Sequence, residues 1–179
     1  RPMAGEVIAA LKDLGITNVV MITGDGEATA RAVASTIGID RYYSQVLPED
    51  KAAIINDLKM SGRKVIMVGD GVNDTPGLAA ADVSVAMKDA SDIAQEVADI
   101  TLLSADLREL ILLRTLSTKL LDRINTNYRF ILGFNTGLLV LGQLGILTPA
   151  TSAVLHNIST MGISAGSMRP LLCETETHG

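Results

Sequence analysis

Apolar positions recur in a regular alternation along the first hundred residues and in a different pattern beyond them. Behind Pro2, the residues Val7, Ile8, Leu11 and Leu14 fall at helical spacing, so a helix is predicted over 2–14, stopped by Gly15. Residues 18–22 (NVVMI) form a short apolar run of strand length. The alternation continues with helices over 27–37, 48–60, 75–81 and 90–98, and strands over 42–46, 64–68, 83–86 and 100–103. Pro48 opens one of these helices, and Gly38 and Gly62 close two. Strands separated by helices and short loops predict a parallel α/β sheet, with central strands such as 64–68 buried because helices cover both faces.

From residue 107 the pattern changes. Residues 107–128 predict one long helix carrying Arg108, Arg114, Lys119 and Arg123. Residues 130–147 (FILGFNTGLLVLGQLGIL) are 18 positions without a charge. That approaches the roughly 20 residues that cross a bilayer. Thr148-Pro149 makes a turn, and 150–168 is uncharged at neutral pH yet polar, with His156, Asn157, Ser159, Thr160, Ser164 and Ser167. The expected organisation is an α/β domain over 1–106, an amphipathic connecting helix over 107–129, two transmembrane helices over 130–172 and a tail over 173–179. A buried helical hairpin in a soluble protein is the alternative.

Composition sharpens the division. Residues 1–106 hold 16 Asp and Glu against 9 Lys and Arg, while 107–179 hold 4 against 6. Basic residues flank the two apolar runs and none lies in their turn, which predicts a cytoplasmic α/β part and tail in a plasma or inner membrane protein. The net charge of −5 argues against non-specific nucleic-acid binding. A single cysteine, Cys173, excludes an internal disulfide. Arg1 is not an initiator, so the expectation is the C-terminal part of something longer.

Three loops carry candidate chemistry. Thr23-Gly24-Asp25-Gly26 follows a predicted strand, where a hydroxyl and backbone N–H groups can donate to phosphate oxygens. Lys51 lies in the first turn of the helix opened by Pro48, and from that stretch alone a solvated surface lysine is the favoured reading. Gly69-Asp70-Gly71-Val72-Asn73-Asp74 follows the predicted central strand. Close carboxylates repel unless a cation sits between them, and Mg²⁺ takes one or two carboxylates with waters and phosphate oxygens. A glycine turn without a metal is the other reading.

Taken together, TGDG, PEDK and GDGVNDTP resemble the haloacid-dehalogenase-like phosphorylation domain, a Rossmannoid parallel sheet. Thr23-Gly24-Asp25 and the run from Gly69 to Leu78 are similar to the TGD and GDGxNDxPxL sequences of P-type ATPases. LAAADVSVAM, then Asp92, Glu96 and ADITLL, resemble the heavy-metal-transporting branch. The resemblance implies an ATP-driven cation translocase using ATP and Mg²⁺. It implies that Thr23 bonds the phosphoryl group, that Gly24 and Asp25 help bind the nucleotide, and that Lys51 neutralises phosphoryl charge. Asp70, Asn73 and Asp74 would hold Mg²⁺. The family's nucleophile, the Asp of DKTGT, is absent from this sequence, as is any DxD, so the chain alone is expected to be inactive and to need the missing part of the transporter. A soluble phosphatase of the same superfamily and a non-enzymatic membrane regulator are the alternatives.

In the last two helices, His156 and Thr160 share a face, and Asn135 lies on the preceding helix. These are candidate ligands of the transported cation, since imidazole suits late first-row divalent metals. Phe134-Asn135 is similar to the Tyr-Asn of copper transporters, and His156-Asn-Ile-Ser-Thr160 to the His-Glu-Gly-x-Thr of the cobalt type. The metal therefore stays open. Gly133/Gly137 and Gly162/Gly166 have the spacing of helix–helix contacts, so packing is the other role for these polar residues.

Overall fold

The structure is a computed structural model that describes residues 3–39 and 41–171. Pro2, Cys173 and the predicted tail over 173–179 lie outside the described residues. The chain divides into two compact units, Arg1–Ile111 and Leu112–Gly179.

The first unit alternates as the pattern predicts: α1 (Ala4–Asp13), β1 (Val20–Ile22), α2 (Glu27–Ile37), β2 (Arg41–Tyr43), α3 (Pro48–Met60), β3 (Ile66–Gly69), α4 (Thr75–Ala80), β4 (Val83–Ala86), α5 (Asp92–Val97) and β5 (Ile100–Thr101). All pairings are parallel. The strands form two sheets, β1-β2 and β3-β4-β5. Val20 lies opposite Arg41 in the first, and Ile66 opposite Val83 in the second. Ile55, Met67, Leu78, Ala86, Ala90 and Ala94 form the core between α3, the second sheet and the helices that follow β3 and β4, with Ile22 of β1 packed against it. Parallel strands need their starts aligned, and two carboxylates do this. Asp82 accepts from the Val65 amide at 2.9 Å and from Lys64 at 3.1 Å, which holds its carboxyl below the usual range. Asp99 accepts from both the amide and the hydroxyl of Ser84, at 2.8 and 2.9 Å, with the same effect.

The predicted buried central strand is corrected. Met67 and Gly69 are buried, but Ile66 is 52% and Val68 39% exposed. Ile66 and Val68, two residues apart, share one face of the sheet, and that face is left uncovered at β3, while Met67 and Gly69 face the core; β3 also pairs with β4 on one side only among the described residues.

The second unit is a helical hairpin with α6 (Arg108–Gln143), which begins in the first unit, and α7 (Pro149–Ser167). The predicted connecting helix and the first apolar helix are one continuous α6. The two predicted transmembrane helices are also corrected: no helix among the described residues is long and apolar enough to cross a membrane. Gly145 adopts the left-handed conformation (φ 73°), with Ile146 donating back to the Leu141 carbonyl at 3.0 Å, and so ends α6 inside the uncharged run. In α7 the polar residues interrupt the apolar ones. The hairpin is closed at its open end by Arg123, which donates to the carbonyls of Ser167 (3.1 Å) and Arg169 (2.6 Å) at the C-terminus of α7. Asn127 adds a bond to the Ser167 hydroxyl at 2.9 Å. The glycine pairs do not make this contact. A Cβ built on Gly133, Gly137, Gly162 or Gly166 meets nothing within 4 Å.

Candidate functional site

The loops after β1 and β3 and the first turn of α3 hold the predicted residues. After β1, the backbone of Thr23 is fixed on both sides: its amide donates to the Tyr43 carbonyl at 2.9 Å, and its carbonyl accepts from Val46 at 3.0 Å. Its hydroxyl donates to Asp25 Oδ2 at 3.0 Å and accepts from the Asp25 amide at 3.1 Å. The Asp25 carbonyl accepts from Gln45 at 2.8 Å, which takes up the left-handed conformation (φ 53°) to reach it. Thr23 and Asp25 are therefore one small cluster on an ordered turn. Gly24 and Gly26 beside them are exposed.

Leu47 in extended conformation and Pro48 at the first helical position start α3. Four positions on from Leu47, Lys51 is buried (8% exposed), which corrects the surface lysine that its own stretch favours. Its ammonium lies 2.5 Å from Asp74 Oδ1. The other oxygen of that carboxylate accepts from the amides of Asp70 and Gly71, each at 3.2 Å. So Lys51, Asp74 and the backbone of Asp70 and Gly71 meet at the C-terminal end of β3, where open α/β sheets keep their ligands. Asp70 and Asn73 are exposed on the loop.

Two glycines that sequence reasoning did not single out make this closeness possible. A Cβ on Gly69 would stand 2.8 Å from Asp74 Cβ. A Cβ on Gly77 would stand 2.6 Å from Met67 Sδ and 3.3 Å from Lys51 Cβ, so the close crossing of α4 over β3 and α3 leaves room for a side chain there only if Met67 moves. The signal of Gly69 in the sequence is its place beside Asp70, and that of Gly77 is only its place in the run that ends at Leu78.

No group of three or more His, Cys, Asp or Glu side chains among the described residues is arranged to hold a metal by itself. A magnesium site does not need one, because waters and phosphate oxygens complete its six positions. Asp70 and Asn73, with oxygens on an exposed loop, fit such a site. The Asp74 carboxylate is already engaged at both oxygens. No hydrogen bond links the Thr23–Asp25 cluster to the Lys51–Asp74 pair.

In the hairpin, His156 Nδ1 lies 2.9 Å from Asn135 Oδ1. A carbonyl oxygen only accepts, so Nδ1 is the donor in this pair, which leaves Nε2 as the ring nitrogen that can face a ligand. Thr160 does not join the pair through its hydroxyl, which donates to the His156 carbonyl at 3.0 Å within α7.

A family profile described as haloacid dehalogenase-like hydrolase matches residues 1–82. The chain is 43% identical over 170 residues to a zinc-exporting P-type ATPase of Mycobacterium marinum, and 44% identical over 170 residues to a manganese-exporting P-type ATPase of Mycobacterium leprae. Each match covers 94% of this chain and 23% of the relative, so the chain spans about a quarter of their length. The crystal structure of a zinc-transporting PIB-type ATPase in the E2.Pi state aligns with a TM-score of 0.90 at 31% identity, covering 96% of this chain and 28% of that one.

Proposed function

The chain is homologous to the heavy-metal P-type ATPases over nearly its whole length, with a haloacid dehalogenase-like hydrolase domain, and from that premise we propose that it supplies the charge-neutralising half of their phosphoryl-transfer site. The observation that carries this reading is Lys51, a buried lysine whose ammonium emerges against the GDGVND loop. A phosphoryl group in transfer spreads negative charge over its oxygens, and catalysis is mostly positioning and neutralisation of that charge. In the intact protein Lys51 takes part of the charge, and the Thr23 hydroxyl donates to a phosphoryl oxygen. Gly24 and Asp25 position the nucleotide and the phosphorylated segment. Asp70 and Asn73 would hold Mg²⁺, which would supply neutralising charge to the phosphoryl group when bound.

The reaction is hydrolysis of ATP through an aspartyl-phosphate whose carboxylate is not in this sequence. The unpaired edge of β3, with Ile66 and Val68 exposed, supports a strand from elsewhere in the intact protein as the carrier of that carboxylate. The cargo is a heavy-metal cation, with Nε2 of His156 as a ligand and Asn135 orienting the ring. Thr160, on the same face, is a further oxygen toward it. The hairpin lies in the membrane of the intact transporter, and the first unit in the cytoplasm. Exposed Leu132, Leu139, Val140, Val154 and Ile158 support that placement, because isolated in water they have nothing to pack against.

The test is phosphoenzyme formation. The intact transporter incubated with radiolabelled ATP and Mg²⁺ forms an acid-stable phosphoprotein, and the 179-residue chain alone forms none. Lys51→Ala lowers the rate of its formation by roughly 10²-fold or more, the scale of losing one charge-stabilising donor. An unchanged rate overturns the role of Lys51, and ATP turnover by the chain alone overturns the assignment of the nucleophile.

A further inference from the structure

We propose that Glu27 is a positioning residue for the turn that carries Thr23 and Asp25, which it holds in place through Ser44. The proposal rests on reading that turn as part of the phosphoryl-transfer site. Glu27 acts at one remove, through the connection between β2 and α3.

The turn has little stiffness of its own. Gly24 and Gly26 flank Asp25. A Cβ on Gly26 would meet nothing within 4 Å, and one on Gly24 would meet only the Val46 carbonyl, at 3.6 Å, so packing at the glycines does not fix the backbone. Residues 43–46 fix it instead. The Thr23 amide donates to the Tyr43 carbonyl, and the carbonyls of Thr23 and Asp25 accept from Val46 and Gln45 at 3.0 and 2.8 Å. Gln45 makes its bond from the left-handed region (φ 53°), which a residue with a side chain occupies only when its surroundings hold it there. The residue before it supplies that hold. The Ser44 hydroxyl donates to Glu27 Oε2 at 2.6 Å. Glu27 Oε1 accepts from Tyr42 at 2.8 Å and from Arg31 at 2.9 Å, and Arg31 Nε donates to the Tyr42 hydroxyl at 3.3 Å. The carboxylate is thereby aimed by β2 on one side and by the next turn of α2 on the other, with its second oxygen left for Ser44. Glu27 is also the first residue of α2, directly after Gly26. The bonds therefore close a ring: Asp25 through Gly26 to Glu27, across to Ser44, and back through the Gln45 amide to the Asp25 carbonyl. Opening the ring at Glu27 leaves two glycines to set where Thr23 and Asp25 point.

Amide hydrogen exchange of the full chain, read residue by residue by NMR, tests the hold. Glu27→Ala and Ser44→Ala cut the same bond from its two sides, and Glu27 is half exposed, so the core is untouched. Each variant raises exchange at Gln45 and Val46 about fivefold, as loss of a charge-assisted bond predicts. The Met87 amide, which donates to the Gly69 carbonyl at 3.2 Å, keeps its wild-type rate. Unchanged exchange at Gln45 and Val46 overturns the proposal, and so does an equal rise at Met87, which is what general loosening gives. In the intact transporter the same two variants raise KM for ATP about fivefold. Asp99→Asn, which removes a carboxylate bond to Ser84 in β4, leaves that KM at its wild-type value. A rise in KM with Asp99→Asn as well assigns the effect to lost stability and overturns the proposal. Faster exchange at Gln45 with an unchanged KM overturns the reading of the turn as part of the site, whereas unchanged exchange overturns the role of Glu27.

Discussion

At Gly69 one methyl group decides whether the loop closes. Its Cβ would meet Asp74 Cβ at 2.8 Å, and that atom is attached to the backbone and cannot swing aside. Gly77 is as crowded, but its nearest neighbours are Met67 Sδ and Cε at 2.6 and 2.8 Å, the far end of a flexible side chain. Gly69→Ala is therefore expected to cost about 1–3 kcal/mol, with Gly77→Ala costing less. Urea denaturation of the chain measures both, and the reverse order overturns the argument. The residue scale is also where the sequence was least legible. Lys51 and Asp74 are 23 positions apart, and nothing in PEDK distinguishes a buried lysine from a solvated one. The turn that carries Thr23 and Asp25 was legible as a loop after a strand, but not the bonds between the two side chains that the structure shows.

Elements are tied by carboxylates, and one tie has a pH signature. Glu27, at the start of α2, accepts from Ser44 (2.6 Å), Tyr42 (2.8 Å) and Arg31 (2.9 Å), which joins the helix to the end of β2. These bonds, from Ser44 above all, push its carboxyl down to about 2 from the ordinary 4.5. The folded state therefore prefers the carboxylate. The resulting stability is fully present above pH 4.5 and is lost as the pH falls through 2. Glu27→Gln is expected to lower stability at neutral pH and to flatten the acid limb of the pH profile, measured by urea denaturation at a series of pH values. Asp82 and Asp99, whose carboxyls are also held low, keep the limb from vanishing. A profile unchanged by Glu27→Gln sinks the tether. The bounds of α2 and α3 were legible to the residue, because Gly38 and Pro48 act within their own turn. The exposure of β3 was not, since whether a face of a strand is covered depends on partners far along the chain. The glycine pairs misled for a similar reason: spacing places them on one face of a helix, but does not say whether another helix comes within contact distance of that face.

At the scale of the whole molecule, the two units differ in what they leave uncovered. The first has a core of its own, and among its open strand edges is that of β3, beside the candidate site. The hairpin has almost none: Leu138 is the one buried residue of α6 among those described, and α7 has none. Leu139 is 70% and Ile158 60% exposed, so neither holds the hairpin together. What does so is polar, the Arg123 clasp at one end and the Asn135–His156 bond farther along. A hairpin joined by polar contacts and coated with apolar side chains is suited to an apolar surrounding, even though neither helix is long and apolar enough to cross a membrane by itself. The full chain is accordingly expected to float with phospholipid vesicles in a density gradient. Leu139→Asp with Ile158→Asp removes little packing within the hairpin, yet each aspartate costs about 3 kcal/mol in a lipid interior. The double variant should then stay in the aqueous fraction while its circular dichroism spectrum stays that of wild type. Flotation of the variant equal to that of wild type would mean that these faces are covered by protein alone, and the membrane placement of the hairpin would fall.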